Sequence, residues 1–206
     1  MVDPGLFGLF MVSAVIICIA PGPDMMYVLA HALSMGTRIG IVASLGMAIG
    51  MLVHTTAAAL GVAALLRSIP LAYDIIRYAG GAYLCYLGIR TWMASRDAHR
   101  LDPAERETGR KVLWRATVTN LLNPKIILFY IAFLPQFVRP SLGHTTLQFL
   151  VLGLIFVALG LLTDVVIAVL GGRVSSVLLD RSWAQVMINR VAGAVFVGLA
   201  VRLVVT

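Results

Sequence analysis

Hydrophobic residues run in long stretches along the chain, and polar residues are gathered into the short intervals between them. The longer stretches hold about 20 residues or more, and at ~1.5 Å per residue such a helix covers the ~30 Å of a bilayer's hydrocarbon. Six spans follow from this pattern, at residues 5 to about 35, 39–66, 70–93, 112–138, 145–170 and 184–205. A polar connection at 94–111 separates the first three from the last three. Within it, Asp102-Pro103-Ala104-Glu105 has the N-cap, first-turn proline and acidic third residue of a helix start. The pattern predicts an all-α membrane protein, one integral-membrane domain over 1–206, with repeat one at about 1–93 and repeat two at about 112–206.

Two of the spans are broken. The first would be ~46 Å long as a single helix, too much for one untilted crossing. It carries Pro21-Gly22-Pro23 in its middle, two prolines that remove backbone donors and a glycine that tolerates a turn. The fourth is interrupted at Asn123-Pro124.

The halves also resemble each other. Pro23 matches Pro124 at an offset of 101, Gly50 and His54 match Gly160 and Asp164 at 110, and Gly81 matches Gly193 at 112. Three spans per half is an odd number, so the halves insert with opposite polarity. That is the inverted-repeat plan of many secondary transporters, whose site lies between the repeats.

Composition sharpens the class. The chain is 60% hydrophobic and 12% charged, with the densest cluster of charges between Arg90 and Arg115, which excludes a water-soluble globular domain. The net charge of +7 lies at span ends and not on a face with interleaved aromatics, which argues against a nucleic-acid partner. Lys and Arg number eleven on the side holding the 94–111 connection and four on the other, so that connection is expected in the cytoplasm and both termini outside. No basic region precedes the first apolar run, and it reads as a retained helix. Cys18 and Cys85 lie in apolar segments and read as buried free thiols. No phosphate-cradling G-x-x-x-x-G-K-[ST] motif and no Cys/His metal spacing occurs, and no cofactor is implied.

The repeat places an acid and a base at matching positions, Asp24 after Pro23 and Lys125 after Pro124. They can pair directly, pinning two broken helices, or hold the ammonium and carboxylate of a zwitterion between them. Helix N-termini after both prolines would add backbone N–H groups for the carboxylate. Asn120 and Asn123 stand one turn apart and serve either substrate polar groups or the freed backbone around Pro124. Asp164 is the candidate proton carrier, because a carboxylate in an apolar span is costly unless protonated or paired. His54, its counterpart, reads equally as a packing residue. His31 and His144 read as interfacial, and the small residues Gly46, Gly50, Gly153, Gly160 and Gly171 as close-packing positions.

Pro21-Gly22-Pro23, the small-residue second span, the basic central connection and Asn123-Pro124-Lys125 together resemble the lysine exporter (LysE/RhtB) family over nearly the whole chain. Leu121-Leu122-Asn123-Pro124-Lys125 and the longer basic connection are closer to its homoserine/threonine/leucine branch. The resemblance implies an inner-membrane exporter of amino acids driven by the proton-motive force, and no enzyme. Its partners would be an amino-acid substrate, protons and the lipid bilayer, with a homo-oligomer as an option. The substrate site would comprise Pro21, Gly22, Pro23, Asp24, Asn120, Asn123, Pro124 and Lys125, with Asp164 and His54 in proton coupling. Two alternatives stand beside this reading. A metal-cation exporter is disfavoured by the few acids in the spans and by Lys125. A thiol–disulfide conduit lacks a cysteine at Thr119, the repeat counterpart of Cys18.

Overall fold

The computed structural model of the chain describes residues 3–20, 22–62 and 107–173, with single positions between 78 and 93 and between 190 and 201. Apart from those single positions, the third and sixth expected spans lie outside the described residues. So do Pro21 and the helix start at Asp102-Pro103.

Six α-helices and no strands occur among the described residues: α1 (Pro4–Ile19), α2 (Pro23–Met35), α3 (Thr37–Ala57), α4 (Gly109–Leu121), α5 (Pro124–Leu128) and α6 (Thr145–Arg173). Each boundary has a local cause. The Asp3 carboxylate accepts from the Gly5 amide at 2.8 Å and caps α1. Helix α1 stops at Ala20, whose backbone is already extended, and α2 restarts with Pro23 in its first turn, where a missing N–H is harmless. Gly36, at φ +88°, alone separates α2 from α3, a left-handed conformation that glycine adopts without strain. Asn123 caps α5 through its side chain, again with a proline at the first position.

The two breaks are similar in shape. Helices α1 and α2 meet at 51°, and α4 meets the Pro124–Phe137 segment at 49°. α3, continued by a π-helical turn at Ala58–Val62, and α6 are each long and apolar enough to cross a membrane. Counting each bent pair as one span gives up to four crossings among the described residues. Helix α4 begins at Gly109, so its first turn takes in residues expected to belong to the polar connection. The reason is local charge. Lys111 Nζ lies 3.1 Å from the Glu107 carboxylate and Arg115 also reaches it, which folds the basic residues onto the helix start. Burial pushes the Glu107 carboxyl up, but the hydrogen bond from Lys111 and the charges of Arg115 and Lys111 outweigh it and hold the group below its ordinary range.

Helix α3 packs between α4 and α6 at glycine contacts. A Cβ on Gly46 would stand 2.4 Å from the Leu113 carbonyl oxygen, and one on Gly153 would stand 2.5 Å from Thr55 Cγ2. Thr117 adds a hydrogen bond across the first contact, donating to the Gly46 carbonyl at 3.0 Å. Aromatic rings fill the space around the second half of the bundle, with Phe129 stacked on Phe156 at 3.7 Å and Phe10 edge-on to Phe137 at 5.4 Å. Fully buried Gln148 ties the entry to α6, accepting from the Arg139 amide and donating to the carbonyls of Arg139 and Gly143.

Candidate functional site

Three helix ends meet at the two breaks. The last carbonyls of α1 leave a partial negative charge at Ala20, and the first amides of α2 leave a partial positive charge at Asp24. Lys125, at the start of α5, reaches across to both. Its Nζ lies 3.0 Å from Asp24 Oδ2 and donates to the Ala20 carbonyl oxygen at 3.1 Å. Both side chains are almost wholly buried, at 9% and 12% exposure, where an isolated charge would cost several kcal/mol and a pair is tolerated. The acid and base matched by the repeat therefore pair directly.

The pair is incompletely satisfied. Asp24 Oδ1 is buried and has no hydrogen-bond partner among the described residues. Gly22 lies flush against it: an added Cβ would be 2.6 Å from Asp24 Oδ1, 2.9 Å from Lys125 Nζ and 3.3 Å from Lys125 Cε. Gly22 is extended (φ −156°), a conformation open to any residue, so the demand here is for space. Pro23 and Pro124 head the two half-helices, while Pro21 lies outside the described residues.

Asn123 and Asn120 sit on the second break. Asn123 Oδ1 accepts from the Lys125 amide at 3.0 Å, which leaves its Nδ2 buried and without a partner. Asn120 is pressed against Gly50 of α3, where a Cβ would come within 2.7 Å of Asn120 Oδ1, itself buried and unpartnered. The break thus carries a spare donor and a spare acceptor.

Asp164 is buried on α6 and forms no hydrogen bond or ion pair among the described residues. The charged groups that act on it are Asp24 and Lys125. One turn earlier on the same helix, Gly160 lets α6 close on α3 and α1: its Cβ position is 2.8 Å from Met51 Cε and 3.9 Å from Cys18 Sγ. His54 is placed differently. Its ring stacks on Tyr130 at 5.5 Å and lies beside the backbone of Asn120 and Leu121, with Nε2 buried and, among the described residues, unpartnered. No hydrogen bond or ion pair joins it to Asp164. His31 faces inward, hydrogen-bonded to the Tyr27 carbonyl at 2.8 Å, whereas His144 is exposed.

Two contributors are absent from the sequence reading. The Ala20 carbonyl is a backbone group, invisible to residue type, and only the helix end before Pro21 could have signalled it. Tyr130, fully buried, anchors His54 and exchanges a 2.8 Å hydrogen bond with Thr55. Its isolated hydroxyl in an apolar run was the available clue.

Apolar spanning helices with a buried charge pair where two of them break form the architecture of a membrane transporter. The sequence pattern of LysE type translocators matches residues 15–206, and the chain belongs to this family. It is a transporter and not an enzyme. Similar proteins include a leucine efflux protein of Enterobacter sp., 32% identical over 198 residues that cover 96% of this chain and 94% of that protein. A leucine efflux protein of Salmonella typhimurium is 31% identical over 197 residues, covering 94% and 92% of the two chains. An uncharacterized membrane protein of Vibrio cholerae is 30% identical over 200 residues, 94% of each. No solved structure matches the chain.

Proposed function

We propose that this transporter exports neutral or apolar amino acids, of the threonine, homoserine or leucine kind, from the cytoplasm across the bacterial inner membrane in exchange for protons. The observation that carries the reading is the buried Asp24–Lys125 pair with one carboxylate oxygen to spare. A zwitterion entering between the two partners exchanges one ion pair for two, ammonium on Asp24 and carboxylate on Lys125. Pro23 and Pro124 keep the half-helix ends open around it, Gly22 leaves room, and Asn120 and Asn123 add the spare acceptor and donor. The relatives named as leucine efflux proteins support an apolar side chain.

Asp164 carries the proton in this scheme. It lies within the field of the same two charges that the substrate rearranges, so its proton affinity changes with substrate occupancy. His54 is the secondary candidate, through its unpartnered Nε2. A metal-cation cargo is the weaker reading, since the Lys125 ammonium stands at the Asp24 carboxylate and would repel a cation.

The six-span inverted repeat, with repeat one at 1–93, repeat two at 112–206, the basic connection in the cytoplasm and both termini outside, belongs to the same proposal. The near-equal bends support it. So does a reciprocal contact: Gly50 of the first half packs on Asn120 beside the second break, and its counterpart Gly160 packs beside Cys18 near the first. The test is excretion. A strain overproducing the chain should tolerate and excrete leucine, threonine or homoserine, and an uncoupler should abolish the excretion. Unchanged amino-acid excretion on overproduction would sink the reading.

A further inference from the structure

Lys125 is a primary ammonium on a four-carbon tether, and its environment is built for that group. Two acceptors from the other half of the chain hold it, Asp24 Oδ2 at 3.0 Å and the Ala20 carbonyl at 3.1 Å. A third acceptor, Asp24 Oδ1, is buried without a partner. The missing side chain at Gly22 leaves the ammonium a close berth, since a Cβ there would approach Nζ to 2.9 Å. A carboxylate and a helix C-terminal carbonyl, with the Gly22 backbone alongside, form a cradle suited to the N–H donors of –NH3+.

We infer that the cradle of Asp24, the Ala20 carbonyl and Gly22 is the seat of the substrate's α-ammonium, and that Lys125 occupies it as a tethered stand-in until substrate arrives. The inference rests on the amino-acid export reading and deepens it. Substrate and lysine compete for one set of acceptors, and a tethered group competes at high effective concentration. An amine alone therefore displaces Lys125 poorly, because the displaced ammonium is left buried and unpaired. An amino acid brings the remedy with it, since its carboxylate receives Lys125. The cradle then demands both charges on one small molecule, and Lys125 acts as the gatekeeper that enforces the demand. A quaternary ammonium, with no N–H to donate and with methyl groups directed at Gly22, is refused.

The experiment is calorimetric titration of the purified full-length protein in lipid nanodiscs at about pH 6, where an α-amino group is protonated. The probes are leucine, leucinamide (ammonium without carboxylate) and N,N,N-trimethylleucine. The wild-type protein should bind leucine more tightly than leucinamide by about tenfold or more, the loss expected of one charge-assisted pair. Lys125→Met should reverse the order, with leucinamide gaining about tenfold over its wild-type affinity and leucine falling below it. Leucinamide binding no better to Lys125→Met than to wild type overturns the inference. If that variant does not yield folded protein, the wild type decides alone: leucine must exceed N,N,N-trimethylleucine by about tenfold, and a smaller ratio overturns the inference. Cellular leucine efflux separates the two claims. Efflux without the reversal discards the seat and keeps the export reading; the reversal without efflux discards the export reading and keeps the seat.

Discussion

The Lys125 ammonium hydrogen-bonds the carbonyl of Ala20, a residue 105 positions earlier in the chain, at 3.1 Å. That contact fastens the second break onto the end of α1, and the neighbouring pair with Asp24 fastens it onto the start of α2. Removing one charge leaves its partner buried and alone, a loss of about 3–5 kcal/mol, whereas removing both is far milder. The double variant Asp24→Asn with Lys125→Met should therefore survive heating in detergent better than either single variant. Monodispersity after a temperature series measures this, and a double variant less stable than both singles speaks against it.

Gly22→Ala should impair transport without unfolding the chain. The backbone at Gly22 suits alanine, but the new methyl lands on the ion pair. Gly36→Ala should do the opposite, since it strains a left-handed link (φ +88°) with open space around it, at about 1 kcal/mol. Efflux and thermal stability measured together on both variants separate the two effects.

Glycines at helix contacts should differ sharply from those facing open space. Gly46→Ala drives a methyl against the Leu113 carbonyl, which cannot move aside, and should cost about 1–3 kcal/mol. Gly61→Ala meets nothing within 4 Å among the described residues and should be neutral in the same thermal assay.

Asp164→Asn should uncouple the transporter. With no titratable proton at this position in the field of Asp24 and Lys125, proton-driven efflux is lost while exchange of internal for external amino acid continues. His54→Gln should have the smaller effect, because no hydrogen bond or ion pair links it to Asp164. Counterflow and uncoupler sensitivity in proteoliposomes distinguish the two outcomes.

The breaks were legible because proline and glycine act on the backbone where they stand, and the structure bends at those residues. The pairing of Asp24 with Lys125 was also legible, through the matching prolines of the two halves. Other features depend on contacts between distant residues and left no local mark. Tyr130, inside the π-helical turn at Phe129–Phe133, reaches Thr55 just before the π-helical turn at Ala58–Val62, a contact set by packing and not by propensity. Repeat alignment matched Asp164 with His54, yet matching positions in an inverted repeat need not touch. Close approach at Gly160 brings α6 against α1 instead, within reach of the first break. Gln148 belongs to no motif, and its three hydrogen bonds appear only once the chain before α6 turns back on itself.

The central claim is that Asp24 and Lys125 hold the substrate, and leucine efflux by charge-neutralised variants tests it most directly. Asp24→Asn and Lys125→Met, each quantified in the membrane by immunoblot, should lose efflux by about a hundredfold, as expected when a buried charge partner of the substrate is removed. Wild-type efflux by either variant, at comparable membrane abundance, would contradict the account.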